Sequence, residues 1–293
     1  MRVLVAGASG FIGTELVQQL EAAGHEVSTL TRGASNGSAH HWDPSAHELD
    51  ASLIENADAV VNFAGASISK IPWSASYQRE ILTSRLDATG TIADAINAAT
   101  SKPAMLLNAS AIGFYGDRPV EPLTEDSVQG NGFLADVVER WEAAANLADT
   151  RVVTFRTGLV VGHGGAFGPL GFLTRFGLAA RIGSGAQHWP WIALHDEAAA
   201  IVHLLTSSLE GPVNLQGPVG ATSVEITRLL ADAMNRPHLW ALPEWLVRRT
   251  LGTAGQELLL SDQHGVPQKL LADGFEFRYE RVSDAIAATW RTE

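Results

Sequence analysis

Two observations predict an α/β protein built on a parallel sheet. Through the first half of the chain, short apolar runs alternate with segments whose apolar residues recur every three or four positions, the rhythm of strand–helix–strand units. The first of those runs also ends in a glycine turn that opens straight into a helix. The totals permit such a fold. There are 293 residues, of which 46% are hydrophobic, enough for one large domain or a main domain with a smaller partner.

In chain order, Val3-Leu4-Val5-Ala6 is the apolar run expected of a strand covered on both faces. Phe11, Ile12, Leu16, Val17 and Leu20 follow at helical spacing, and Gly24 ends that helix. Segments 26–31, 57–64 and 104–110 read as further strands, and 151–161 (RVVTFRTGLVV) as another. A long helix over about 77–98 carries the stripe Leu82, Leu86, Thr89, Ala93, Ile96. A second, over 132–147, aligns Leu134, Val138, Trp141 and Ala145. Glycines then crowd residues 158–185, which suits either a mobile loop over a site or a set of tight turns. Residues 193–207 read as helix, with Asp196 as its N-cap, and 211–215 as strand. Beyond Thr222, helical segments punctuated by Pro237, Pro243 and Pro267 predict a smaller C-terminal lobe. The expected architecture is a doubly wound parallel sheet of Rossmann type spanning 1–160, rejoined by 190–216. The smaller substrate lobe is drawn from 161–189 and 217–293.

Composition narrows the chemistry. A formal net charge of −12 argues against a nucleic-acid groove or a polybasic membrane surface, which need clustered Lys and Arg. No cysteine is present, so disulfides, thiolate nucleophiles and Cys-held metals are excluded. His40, His41 and His47 lack the partners and spacing of a metal site. No run approaches the length of a spanning helix, and the apolar start is too short for a signal peptide. An acidic cytoplasmic protein is expected, with neither nucleic acid nor membrane as partner; a homodimer is left open.

The strongest chemical signal is Gly7-Ala8-Ser9-Gly10-Phe11-Ile12-Gly13, placed between the first strand and the first helix. Side chains in this turn would bar a pyrophosphate from the N–H groups at the helix N-terminus, so the turn predicts dinucleotide binding. At the end of the second strand, where NAD sites place a carboxylate for the ribose 2′-hydroxyl, this chain has Thr31-Arg32. An arginine there pairs with a 2′-phosphate, which points to NADP(H). Phe63-Ala64-Gly65 closes another central strand with small residues beside the adenine and ribose, or with a simple turn.

With these residues in place, the chain resembles the extended short-chain dehydrogenase/reductases. It is most similar to the epimerase-like subfamily often labelled cell-division inhibitor or nucleoside-diphosphate-sugar epimerase. The resemblance is carried by GASGFIGTEL (7–16), NFAGASI (62–68), SRLDAT (84–89), SAIGFYG (110–116), FLADVVERWEAAA (133–145), FRTGLVVGHGGA (155–166) and PWIALHDEAAAI (190–201). RPHLWALPEW (236–245) and VPQKLLADGFEF (266–277) extend it almost to the end of the chain. It implies a C-terminal lobe closing over a substrate cleft, and NADP contacts at Thr31, Arg32, Phe63, Ala64, Glu80, Arg85 and Leu159. Without the resemblance, Glu80 and Arg85 read as solvated helix charges.

One departure bears on chemistry. The broad superfamily sets a Tyr, and a Lys four residues later, on one helix face as its acid/base pair; the corresponding positions here are Phe133 and Val137. Ser110 matches the superfamily's site serine or is a strand-end turn serine, and Tyr115 is either a proton donor or an aromatic packing residue. Asp136 and Glu139 read as solvated, and Trp189 and Trp191 as packing. Two functions follow. One is an NADP(H)-dependent oxidoreductase or epimerase-like enzyme acting on a small, unidentified carbonyl, alcohol or sugar nucleotide. The other is a non-catalytic NADP(H)-binding regulator.

Overall fold

The computed structural model describes residues 1–290. Strand β1 (Arg2–Ala6) runs through the turn into α1 (Phe11–Ala22), followed by β2 (Glu26–Thr31), the short β3 (Ala39–His41), α2 (Ala51–Glu55), β4 (Ala59–Asn62) and the long α3 (Ala75–Ala98). Strand β5 (Met105–Ala111) leads through a 3₁₀ turn at Ile112–Tyr115 to β6 (Arg118–Leu123), α4 (Phe133–Ala145) and β7 (Arg151–Thr157). Seven strands form one all-parallel sheet in the order β11–β7–β5–β4–β1–β2–β3, with β11 at Gly211–Leu215. Strands β1, β4 and β5 are buried almost end to end, as a sheet covered on both faces requires. One core lies under α1 and the later helix α6 (Leu194–Leu204), built on Val3, Val5, Leu16, Val61, Phe155 and Ile201. A second lies under α3, built on Leu4, Val60, Ile92, Ile96 and Leu106.

The run 151–161 is not one strand. At Gly158 the chain leaves the large sheet, because Leu159 N–H bonds to Pro190 O instead of continuing the ladder. Strand β8 (Leu159–Val161) then pairs with β10 (Trp191–Ala193) in a separate two-stranded sheet. A Cβ at position 158 would sit 2.6 Å from Pro190 O, so only glycine allows this departure. Between them lie α5 (Phe167–Arg175) and β9 (Ala180–Ile182). After β11 come α7 (Ser223–Ala233), β12 (Trp240–Leu242) paired with β9, and α8 (Glu244–Gly255), bent at Gly252 and running on into a π-helical turn at Gln256–Leu260. Strand β13 (Gln263–Gly265) pairs with β6, and α9 (Gln268–Ala272) and α10 (Val282–Trp290) complete the chain.

The smaller lobe has its own core of Phe167, Ile182, Trp189, Trp191, Ile226, Leu230, Val247, Ile286 and Trp290. Segment 270–277 does not belong to it: Leu270, Phe275 and Phe277 pack into the α1/α6 core. The His203 ring nitrogen meets Asp273 at 2.7 Å and the ring abuts Phe275 edge-on. Asp196 is not a helix cap either. The N-cap of α6 is Ala193, and the buried Asp196 carboxylate accepts the backbone N–H groups of Arg278 and Tyr279, tying the C-terminal segment to the helix. No helix among the described residues is long and apolar enough to cross a membrane.

The start of α1 lies against the strand it leaves. A Cβ on Gly13 would stand 2.4 Å from Gly7 O and within 2.9 Å of Ala8 backbone atoms. Gly13→Ala is therefore expected to lower stability by about 3 kcal/mol, the upper end of overpacking costs. Urea unfolding of the variant measures this.

Candidate functional site

The glycine turn makes a cradle at the carboxyl edge of the sheet. Gly7 takes a positive φ of 81°, and a Cβ there would press on Phe63 and Ala64 at the end of β4. Gly10 is different, since a Cβ on it would meet only Gly7 O, at 3.1 Å. Protein packing thus explains Gly13 and backbone conformation explains Gly7, whereas the exposed Gly10 has open space before it. No side chain caps α1, whose first N–H groups are left for an anion. Ser9, Gly10 and Phe11 border a shallow depression with Thr14, Glu15 and Leu194. The half-buried ring of Phe11 lies against Gly162 and Gly164, where Cβ atoms would come within 2.4 and 2.6 Å of it. Those glycines of the 158–185 run are packing surfaces for Phe11, while Ile12 turns into the α1/α6 core.

At the end of β2, Arg32 is exposed and forms no ion pair among the described residues, while Thr31 Oγ1 accepts the Gly33 N–H at 3.1 Å. Beyond β4, Asn62 holds the turn by accepting the Ala64 N–H, and Phe63 packs on Phe155 with 5.2 Å between ring centroids. Arg85 reaches back from α3 to this turn. Its Nη1 donates to Ala66 O and Ile81 O, its guanidinium lies over the Trp141 ring, and its stem abuts Gly65. No carboxylate pairs with it among the described residues, and burial drags its pKa down to about 10. A cation so desolvated favours an anion from outside. Glu80 is exposed on the same helix, and Leu159 is half-buried where β8 starts. These residues fit a dinucleotide with an extra phosphate: a cradle at Gly10, uncapped N–H groups, a free Arg32 and an acid-free Arg85.

The catalytic candidates land elsewhere. Ser110 lies on β5 and is buried, with its Oγ donating to Glu142 Oε1 at 2.5 Å. Glu142 is held in turn by two bonds of 2.8 Å from Arg156. Arg156 Nη1 donates to Tyr115 Oη at 2.8 Å, and Tyr115 Oη donates to Asn214 Oδ1 at 2.8 Å. Tyr115 is 0% exposed, and burial pushes its hydroxyl above the usual range, with Arg156 working only partly against this. Burial also opposes the Arg156 charge, but Glu142 outweighs it and leaves the guanidinium more firmly protonated than usual. Ser110 and Tyr115 are thus bonded into one buried network that joins β5, β7 and β11. Sequence reasoning passed over Glu142 and Arg156. A charge in the middle of VVTFRTG, a strand buried on both faces, is the signal that demands a partner.

Phe133 and Val137 stand in an apolar cluster with Trp73, Tyr77, Ile81, Leu134 and Ala254, and Phe133 packs on Trp73. The Glu257 carboxylate crosses from the smaller lobe to accept the N–H groups of Phe133 and Leu134 at 2.7 and 2.6 Å, capping α4. Phe133 and Val137 themselves can transfer no proton, and Asp136 and Glu139 are exposed on this helix. Trp189 and Trp191 are buried and donate to Leu259 O and Val219 O. Among the described residues no three His, Asp or Glu groups gather as a metal site.

The sequence model of the NAD dependent epimerase/dehydratase family matches residues 3–216. The chain belongs to that family. Residues 242–289 match a second model, a domain of unknown function (DUF1731). Among epimerase-family relatives, the Mycobacterium leprae protein ML0860 is 37% identical over 291 residues, covering 97% of this chain and 94% of that one. The crystal structure of human epimerase family protein SDR39U1 with NADPH superposes with a TM-score of 0.92 at 34% identity, covering 100% of both chains. The Thermus thermophilus UDP-glucose 4-epimerase, solved with NAD, shares the fold with a TM-score of 0.76 at 21% identity, covering 99% of this chain and 97% of that one.

Tyr115→Phe keeps the ring but leaves Asn214 and Arg156 each short of a buried partner. A stability loss of about 1–3 kcal/mol is expected in urea unfolding, with dinucleotide affinity unchanged. Gly10→Val, by contrast, is expected to fold normally by circular dichroism and to lose dinucleotide binding in calorimetry.

Proposed function

We propose that this epimerase-family protein binds NADP(H) and exchanges hydride between the nicotinamide and a small carbonyl, alcohol or sugar-nucleotide substrate. The observation that carries this reading is the pair of cations around the glycine cradle. Arg32 is free at the end of β2 where a carboxylate would select NAD, and Arg85 is desolvated without an acid. NADPH in the human relative's crystal structure supports the same choice.

When bound, the cofactor supplies the hydride chemistry. The chain's own residues do the rest. The cradle at Gly7–Gly13 and the uncapped start of α1 hold the pyrophosphate, and Thr31 and Arg32 meet the ribose phosphate. Phe63, Ala64, Gly65 and Leu159 give apolar backing along the strand ends, with Glu80 and Arg85 on the helix above. The Trp73–Phe133–Val137 cluster and the Glu257 cap exclude water from the face where the superfamily keeps its Tyr and Lys. That apolar face favours a second reading, a regulator that binds NADP(H) without turnover. Assay of NADPH oxidation over a panel of carbonyls and sugar nucleotides separates the two, because the regulator binds and does not turn over.

Arg32→Glu places a carboxylate where the 2′-phosphate is read. Losing one charge-assisted bond of about 1.5–3 kcal/mol, NADPH affinity is expected to fall at least tenfold while NADH affinity holds or rises. Calorimetric titration of wild type and variant with both cofactors checks this, and equal wild-type affinities overturn the NADP(H) preference.

A further inference from the structure

A buried acid lies behind the carboxyl end of β7, outside the network of Ser110 and Tyr115. Glu197, in the first turn of α6, is 0% exposed. One carboxyl oxygen, Oε1, lies 2.7 Å from Thr157 Oγ1, and the other, Oε2, has no hydrogen-bond partner among the described residues. Neighbouring charges are engaged elsewhere. Asp196 accepts from Arg278 and Tyr279, His195 lies beside Asp196, Glu15 on α1 holds Gln19, and the Arg156 guanidinium is committed to Glu142. Burial pushes the Glu197 carboxyl up to about 8, and only the Thr157 hydroxyl opposes it. Burial thus favours the uncharged carboxylic acid over the carboxylate.

Thr157 stands at the half-exposed carboxyl end of β7 and touches this acid. Strand β7 is buried from Val152 to Arg156 and becomes half-exposed at Thr157, Gly158 and Leu159. Successive side chains of a strand alternate in face, so Thr157 lies opposite Arg156 and on the side of Phe155, which packs on Phe63 at the cradle. Arg32 lies on the β2 side of the glycine turn. A dinucleotide anchored at both points extends its other half away from β2, over the ends of β4, β5 and β7.

We propose that Thr157 is the proton donor to the substrate oxygen and that Glu197 is the positioning acid that recharges it, in place of the missing Tyr and Lys. The inference rests on the hydride-exchange reading above. With Glu197 protonated, its O–H donates to Thr157 Oγ1 and turns the hydroxyl hydrogen outward. As hydride reaches the carbonyl carbon and the nicotinamide is oxidised, the carbonyl oxygen takes the Thr157 proton. Thr157 Oγ1 takes the Glu197 proton in the same movement, so the carbonyl is reduced to an alcohol and Glu197 is left as a carboxylate. Solvent reprotonates it after product leaves. The alcohol-oxidising direction runs the same transfers backward.

Infrared difference spectroscopy of the full-length chain, titrated from about pH 5 to about pH 9, reads the acid directly. Expected is one protonated-carboxyl band that fades with a midpoint near 8, is absent in Glu197→Gln, and persists in Thr157→Val. Adding NADPH is expected to shift that band in the wild type and not in Thr157→Val. With 9,10-phenanthrenequinone and aromatic aldehydes as carbonyl probes, NADPH-dependent kcat is expected to fall as pH rises through the same midpoint. It is expected to drop at least tenfold in either variant, with Glu197→Gln losing the pH limb. A structural role would alter stability in Glu197→Gln but move neither the NADPH-induced shift nor the pH profile. Absence of the band, NADPH binding that leaves it untouched, or undiminished turnover in both variants overturns the relay alone. Failure of NADPH to bind, or no turnover of any probe with NADPH bound, overturns hydride exchange and the relay with it.

Discussion

The Glu142–Arg156 ion pair is the constraint on which the middle of the molecule depends. It joins α4 to β7 under the sheet and draws in Ser110 from β5, Tyr115 from the turn after β5, and Asn214 from β11. Breaking such a pair from one side leaves an uncompensated buried charge, typically at about 3–5 kcal/mol. Arg156 also lies over the Phe114 ring, so its planar group is held on several sides. Ser110 and Tyr115 are both tied to this pair by buried hydrogen bonds.

Much of this was legible in the sequence because local rules and tertiary needs agreed. Apolar runs marked β1, β4 and β5, and the turn between β1 and α1 announced a dinucleotide cradle. What escaped was set by partners distant in the chain. Glu142 looks like one more charge in ERWEAAA, yet it follows Val138 by four residues and so shares the buried stripe of α4. Glu197 reads as an acid favourable to a helix N-terminus, and nothing in HDEAAAI says that it is buried. The break after Thr157 was hidden inside a segment that reads as one strand, because the reason for it, Pro190, lies far downstream. Arg85 was marked by the resemblance alone, and the physical reason, a cation with no acid partner among the described residues, shows only in the structure.

The two lobes meet through directional polar contacts, including the pairing of β13 with β6. Glu257 caps α4 from the smaller lobe, and Asp117 Oδ1 accepts the backbone N–H of Asp262. Apolar contact supplies the bulk: Ala254 and Leu258 fill the space beside Val137 and Trp73. Phe133 and Val137 thus stand in the apolar contact between the lobes.

The return of Leu270, Phe275 and Phe277 to the α1/α6 core has a consequence for how the chain is made. Domains generally fold as units while the chain is being synthesised, N-terminal first. Here the first core keeps an uncovered apolar seam until residues near 277 have left the ribosome. The sheet is laid down early and closed late. A cut after β7 or β11 would leave that seam open and would not yield a free-standing cofactor domain, however natural such a boundary looks on the topology.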